Sequence, residues 1–331
     1  MNTIHISTLN LTSTTASDRS RSEQDQPQLD ATTRLGAAGD RALVLGGGGS
    51  TGNAWLIGVI AGLFDAGLDV TSADLTVGTS AGSTAAAQIA GATPAELFAA
   101  ILDAPAQQPS GPVGSGPRRA PGRPVVNQLE RIKKIIASAE DVADMRRRLG
   151  AAALEMDSAS DGSWSVQWLT TVAARLPTQH WPERRVLITA VDARTGEPAV
   201  FDRHSGVGLA DAIAASCSSG LPYRIGDKRY LDGGYRANAE NADLAAGYER
   251  VLVLSPFGGR SLQPQEWGMH LATQLDELRN GGSRVAAIYP ESRSEHMFGP
   301  NGMDLSLRPP AARAGYEQGT ALAGKLAEFW N

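Results

Sequence analysis

One cysteine, Cys217, in 331 residues leaves no partner for an intramolecular disulfide and fits a reducing compartment. No stretch approaches the run of about 18 apolar residues that a membrane-spanning helix needs. Residues 1–40 lack the apolar centre of a signal peptide; they are rich in Ser, Thr, Asp and Gln. A formal net charge of −5 gives no overall attraction to nucleic acid. His, Cys, Asp and Glu nowhere fall at metal-site spacing, so no metal and no cofactor is expected. What is present is globular: 42% hydrophobic and 20% charged residues, in a chain long enough for one large domain or two small ones. These features together lead to the expectation of a cytoplasmic protein. Its first 38 residues are expected to form a disordered tail.

The chain is organised around Arg41 to Ser83. An apolar run, Ala42 to Leu45, breaks into Gly46 to Gly49 and Ser50-Thr51-Gly52. An apolar helical segment follows from Ala54 to Ala66, with Trp55, Leu56, Val59, Ile60, Leu63 and Phe64 three and four apart. Leu75 to Val77 then breaks into Gly78-Thr79-Ser80-Ala81-Gly82. This is strand, glycine loop, helix, strand and a tight corner into another helix, a right-handed βαβ unit.

Ala81 to Ala90 reads as a small-residue helix, and Thr93-Pro94 with Glu96 as the capped start of the next. Pro105 to Pro124 holds six prolines and four glycines in 20 residues, which predicts a flexible loop over 105–124. An amphipathic helix is expected beyond it, apolar at Leu129, Ile132, Ile136, Val142, Met145 and Leu149. Between Arg118 and Arg148 stand nine basic and four acidic residues. Another helix is expected from Trp164 to Leu176. Residues 125–180 therefore read as a helical cap inserted in an α/β domain that spans 39–331. After it come a hairpin, Val186 to Val191 with Pro198 to Phe201, and a helix from Leu209 to Ser216. A brief strand at Tyr230-Leu231 ends in Asp232-Gly233-Gly234. Val251 to Leu254, a helix from Trp267 to Leu278, a strand from Val285 to Tyr289 and a helix from Ala311 to Phe329 complete the order. Such alternation predicts a mostly parallel sheet with helices on both faces.

A serine nucleophile needs a placed hydroxyl, a base and donors for the oxyanion. Gly78, Ser80 and Gly82 fit the strand-to-helix corner that exposes a serine Oγ; the plainer role for Ser80 is a helix cap. The glycine loop offers backbone amides at a helix N-terminus. Gly47, Gly49 and Gly52 also spell a dinucleotide fingerprint, but that motif expects an acid at the end of the next strand, where this chain has Gly78-Thr79-Ser80. For the base, Asp232 with His270 or His296 follows the chain order of a hydrolase triad. Neither histidine sits in a glycine-framed loop, whereas Asp232 does. Its plainer role is a turn aspartate. Cys217 reads as a small buried residue, Asp192 and Asp202 as turn formers, and Trp164 and Trp168 as core.

Gly47-Gly48-Gly49-Ser50-Thr51-Gly52 before an apolar helix, then Gly78-Thr79-Ser80-Ala81-Gly82, then Asp232-Gly233-Gly234, resemble the patatin-like phospholipase family of bacterial type. The resemblance runs from about Arg41 to about Asn241, interrupted by the inserted region. It implies a three-layer α/β/α fold with a Ser–Asp dyad: Ser80 as nucleophile and Asp232 as base. Gly47, Gly48 and Gly49 would form the oxyanion hole, supported by Gly52, Gly78, Gly82 and Gly233, and no histidine is required. It implies a lipid or other acyl ester as substrate. The family often has arginine where Thr51 stands, so positive charge there is absent or comes from elsewhere. The competing readings are a dinucleotide-binding oxidoreductase and a catalytically silent lipid-binding protein. The basic segment 118–148 reads first as a solvated cap face; the alternative is peripheral contact with anionic membrane.

Overall fold

Strand β1 (Arg41–Leu45) sends Leu43 and Leu45 into the apolar cluster on one face of the sheet and Ala42 and Val44 into the cluster on the other. A strand covered on both faces has no polar side to offer, hence its unbroken apolar run. The computed structural model describes residues 31–34, 39–104 and 123–331. From β1 the chain continues through α1 (Gly49–Asp65), β2 (Leu75–Gly78), α2 (Ala81–Gly91), α3 (Pro94–Asp103), α4 (Arg123–Ser138), α5 (Val142–Ser158) and α6 (Ser163–Ala173). It proceeds through β3 (Arg185–Asp192), β4 (Pro198–Phe201), α7 (Leu209–Ser216), β5 (Tyr223–Ile225), β6 (Lys228–Asp232) and β7 (Arg250–Leu254). The last elements are α8 (Leu271–Asn280), β8 (Arg284–Ile288) and α9 (Arg308–Trp330).

The strands lie in the order β5-β6-β3-β2-β1-β7-β8, with β4 paired to β3. β3, β2, β1, β7 and β8 are parallel neighbours. β4 and β6 run antiparallel to β3, and β5 antiparallel to β6. One face is covered by α1, α2, α6, α7 and α9, which contribute Trp55, Ala85, Val172, Ile213 and Trp330 to one cluster. The other is covered by α8, through Leu271, Leu275 and Leu278, and by the turn Ala242–Ala245. This is the expected three-layer α/β/α sandwich with a mostly parallel sheet. A third apolar cluster joins the inserted helices to it, with Ile136, Met145 and Leu149 meeting Val191 and Leu231.

Local chemistry explains most boundaries. Thr93 and Glu96 form a reciprocal capping box at α3, and Pro94 occupies its first turn. Four differences from the sequence reading have physical causes. α1 starts at Gly49, not Ala54, so the loop's last glycines are already helical. The long amphipathic helix is two, α4 and α5, because the Asp141 carboxylate accepts from the Asp144 amide at 2.7 Å and opens a new helix. α8 starts at Leu271; the expected start at Trp267 is a separate 3-10 turn, Gln265–Trp267, closed by Gly268 at φ +70°. β5, which carries charged Arg224 between Tyr223 and Ile225, has too little apolar pattern to be read as a strand. Of the expected tail, Ala31–Arg34 forms a 3-10 turn with Ala31 buried against the sheet; residues 1–30 and 35–38 lie outside the described residues. So does the expected loop, except for Arg123 and Pro124, which begin α4.

The basic stripe of the cap is largely engaged within the protein. Arg146 donates to the carbonyls of Gly196 and Arg236, both at 2.8 Å, and Arg131 to that of Ala152 at 2.7 Å. Arg147 and Arg148 both reach Asp144. No single helix among the described residues is long and apolar enough to cross a membrane. Trp164 and Trp168 stack on each other at 6.1 Å and pack against the core. If the Asp141 cap separates α4 from α5, Asp141→Ala should loosen the first turn of α5 by about 1 kcal/mol. Hydrogen exchange at residues 142–145 should then quicken about five-fold, while α1 and the central strands stay protected.

Candidate active site

β1 and β2 pair in parallel with Leu45 opposite Gly78, so their carboxyl ends release the glycine loop and the serine corner side by side. Sites in open α/β sheets collect at this edge. The Thr79 amide donates to the Leu45 carbonyl at 3.1 Å, tying the corner to β1. A Cβ placed on Gly82 would lie 1.9 Å from that same carbonyl oxygen, so only glycine lets α2 leave the corner at this angle. Ser80 sits at φ +51° and ψ −116°, outside the relaxed regions for a side-chain-bearing residue. Strain of about 1–3 kcal/mol at such a corner persists only where surrounding bonds over-determine it. Here the Ser80 amide donates to Ser216 Oγ at 2.9 Å, and the Ser80 carbonyl accepts from Ser83 Oγ at 2.6 Å and from Cys217 Sγ at 3.1 Å.

Asp232 comes to the same edge on β6, paired opposite Ala190 of β3. The Asp232 amide donates to the Ser218 carbonyl at 2.9 Å, fixing the strand end beside α7. Its carboxylate then divides its duties. Oδ1 accepts from the Gly234 amide at 2.8 Å, and Oδ2 accepts the Ser80 hydroxyl at 2.9 Å. Gly233 allows the approach, because a Cβ there would lie 2.1 Å from Thr189 Oγ1. Burial pushes the Asp232 carboxyl up from 3.8 to about 6, against the opposing pull of the Gly234 and Ser80 hydrogen bonds. Ser80 keeps some exposure while Asp232 is 7% exposed, so the hydroxyl can meet a substrate and the carboxylate cannot.

Of the three glycines expected to hold an oxyanion, Gly47 is committed elsewhere. Its amide donates to the Ala239 carbonyl at 2.8 Å. The Gly48 and Gly49 amides, the first at the cap and the second in the first turn of α1, have no acceptor among the described residues. Gly47 nevertheless adjoins the serine, since a Cβ on it would stand 3.4 Å from Ser80 Cβ. Gly52 keeps the turn closed, its amide reaching the Gly48 carbonyl at 3.1 Å. Thr51 is fully buried, and its hydroxyl donates to the Met297 carbonyl at 2.9 Å. His270 and His296 are engaged with the carbonyls of Gln263 and Arg293, and neither bonds to Ser80 or Asp232. Asp192 accepts from the amides of Arg194 and Thr195, a turn former as expected. Asp202 likewise accepts from the His204 amide.

Several supporting residues escaped the sequence reading. Asn241, fully buried at φ +56°, donates through Nδ2 to Thr79 Oγ1 and to the Gly233 carbonyl, both at 3.0 Å. One amide thus spans the serine corner and the aspartate's turn. Its neighbour Glu240 is 1% exposed, accepts the Ser255 hydroxyl at 2.6 Å, and lies under Gly46. Burial pushes its carboxyl up from 4.5 to about 7. A left-handed asparagine is a known signal. A polar run such as Ala237-Asn238-Ala239-Glu240-Asn241 nonetheless reads as surface loop until the sheet closes over it.

A family model described as "Patatin-like phospholipase" matches residues 43–245, well over half of the chain. No curated protein matches it. Among solved structures, VipD from Legionella pneumophila is similar at a TM-score of 0.40 and 14% identity, over 88% of this chain and 67% of that one. The family assignment therefore rests on the sequence match.

Glu240 gives this edge of the sheet its own pH dependence. A carboxyl whose pKa is raised on folding contributes stability below its unfolded value and loses it as pH climbs through the folded one. For Glu240 that window runs from 4.5 to about 7. Glu240→Gln should melt several degrees higher than the parent at pH 8 and at nearly the same temperature at pH 4.5. Equal shifts at both pH values in calorimetry would show that the carboxylate is not strained by burial.

Proposed function

The chain belongs to the patatin-like phospholipase family, a family of lipid acyl hydrolases, and we propose that it cleaves carboxylic esters through a Ser80 acyl-enzyme with Asp232 as its only base. The observation that carries this reading is the 2.9 Å hydrogen bond from Ser80 Oγ to Asp232 Oδ2, made at a left-handed serine corner. Ser80 Oγ attacks the ester carbonyl carbon as its proton passes to Oδ2. The carbonyl oxygen, now anionic, is held by the amides of Gly48 and Gly49 at the start of α1, where the helix dipole has the same sign. Collapse breaks the bond to the alcohol oxygen, which leaves with the proton from Asp232. Water then attacks the acyl-enzyme, gives its proton to Asp232, and releases the fatty acid while Oγ recovers a proton.

A carboxylate whose ordinary pKa is near 4 is a weak base for a serine hydroxyl. Raising it to about 6 brings it nearer the operating pH, where proton transfer is more effective. Gly234 keeps Oδ1 engaged, so Oδ2 alone faces the nucleophile. Where a triad has an imidazole to orient, this dyad orients the base itself.

Ser80→Ala and Asp232→Asn should each fold and lose at least about a thousand-fold in kcat on short-chain nitrophenyl esters. A fluorophosphonate probe should label the parent at Ser80 and fail to label Ser80→Ala. Turnover retained by both variants would sink the dyad. For the parent, kcat/KM should rise with pH through about 6 and level above it, because Asp232 must be ionised to accept the proton. A profile governed by a group near 7 that vanishes in a histidine variant would return the base to a histidine.

A further inference from the structure

The family model ends at residue 245, yet a later stretch, residues 297–303, is fastened to the glycine loop. The buried Thr51 hydroxyl donates to the Met297 carbonyl at 2.9 Å, and the Thr51 amide to the Gly302 carbonyl at 3.0 Å. The stretch is also closed on itself. The Gly302 amide donates to the Gly299 carbonyl at 3.0 Å, and Asn301 Nδ2 to the His296 carbonyl at 2.8 Å. Backbone held in this way delivers the next side chain, Met303, to Gly49. A Cβ on Gly49 would lie 2.7 Å from the Gly302 oxygen and 3.1 Å from Met303 Sδ. Glycine at φ +67° leaves that space open, and the thioether borders it.

Met303 is 59% exposed, whereas Met145 and Met297 are buried and Met156 and Met269 partly so. Exposure decides which thioether an oxidant reaches. The other sulfur at this edge, Cys217, is protected. Burial pushes its thiol up to about 11, and the neutral thiol is a poor nucleophile toward peroxide. Oxidation would change what stands beside Gly49. A thioether is a weak acceptor, while a sulfoxide oxygen is strongly polar. The Gly48 and Gly49 amides, in the same turn, have no acceptor among the described residues. They also lie at the positive end of α1, which favours an oxygen that carries negative charge.

We propose that Met303 is a peroxide-modified site whose sulfoxide oxygen takes the Gly48 and Gly49 amides and so bars an ester carbonyl from them. In the modification, a lone pair of Sδ forms the S–O bond as the O–O bond of hydrogen peroxide breaks. The second peroxide oxygen leaves as water, so the sulfur loses two electrons and the peroxide gains them. Reduction by a methionine sulfoxide reductase returns the thioether and frees the amides. This is a regulation of the ester-hydrolysing site and rests on that reading. The ties at Thr51 matter to it, because they hold the sulfur against the loop when exposed side chains elsewhere are free to swing away.

The test treats the parent and Met303→Leu with hydrogen peroxide, stops the reaction with catalase, and locates the added oxygen by mass spectrometry of peptides. In the parent, Met303 should gain its oxygen before the other described methionines. Its kcat on a nitrophenyl butyrate ester should fall about a hundred-fold in step, the scale of losing an oxyanion donor, with KM little changed. Methionine sulfoxide reductase should restore kcat. Met303→Leu should keep the turnover it starts with through the same treatment. Independently of turnover, amide exchange at Gly48 and Gly49, followed by NMR, should slow several-fold in the oxidised parent and not in peroxide-treated Met303→Leu. Unchanged kcat with Met303 fully oxidised, equal loss in Met303→Leu, unchanged exchange at both glycines, or oxygen found first on another methionine overturns the proposal. If the untreated parent cleaves no ester, it is the hydrolase reading that fails; the order of oxidation and the exchange at the two glycines still decide whether Met303 closes the loop.

Discussion

The approach of Gly82 to the Leu45 carbonyl is the constraint on which the rest of the site depends. Parallel pairing of β1 with β2 sets the two turns at one edge, but pairing alone would let α2 leave at many angles. Absence of a Cβ at Gly82 brings the first turn of α2 down onto the end of β1, and Ser80 is forced into its left-handed corner. From that position the hydroxyl points across β2 toward β3 and β6 instead of capping its own helix; Ser80 makes no side-chain cap bond. The aspartate then needs only a short strand antiparallel to β3 to meet it.

Holding the carboxylate there works against stability. Asp232 and Glu240 are both buried with raised pKa values, so ionising either one costs more in the folded chain than in the unfolded one. One pKa unit corresponds to about 1.4 kcal/mol, so the two groups together oppose folding at pH 8 by several kcal/mol. For Asp232 that opposition is also its basicity: the desolvation that disfavours the anion makes it a better proton acceptor. Glu240 takes no part in the proposed chemistry. Its carboxylate sits beneath Gly46, and its backbone carbonyl lies 3.4 Å from Thr79 Oγ1, so it supports both turns from below. The surrounding bonds compensate. Asn241, Asn238 and Ser255 between them satisfy carbonyls, amides and carboxylate in a region closed to water.

What could be read from the sequence was what is local. Gly78, Ser80 and Gly82 lie within five residues, and Asp232-Gly233-Gly234 within three, so glycine's special geometry announces each turn without knowledge of the fold. Strand identity was legible for the same reason in β1, β2 and β7, whose apolar runs reflect burial on both faces. Long-range contacts were not legible. That Gly47 gives its amide to Ala239, while the Gly48 and Gly49 amides find no acceptor among the described residues, depends on a segment nearly two hundred positions away. Asn241 looks like any loop asparagine until β1, β2 and β3 are assembled around it. The division of one amphipathic stretch into α4 and α5 turns on a single hydrogen bond from Asp144 to Asp141, too small a signal to outweigh apolar spacing that runs through both helices.

Thr51 shows why a motif must be read with its surroundings. Taken alone, the absence of an arginine there looks like a loss of positive charge beside the glycine loop. In the fold, the position is filled by a hydroxyl that fastens α1 to the carbonyl of Met297, and the Thr51 amide adds a second tie to Gly302 at 3.0 Å. Those ties hold the segment that leads into α9, and the first residue of α9 is the arginine that reaches Ser50. A small side chain at 51 and a cation at 308 are thus two parts of one arrangement. The cation stands at the flank of the glycine loop, bonded to Ser50 and not built into the turn itself.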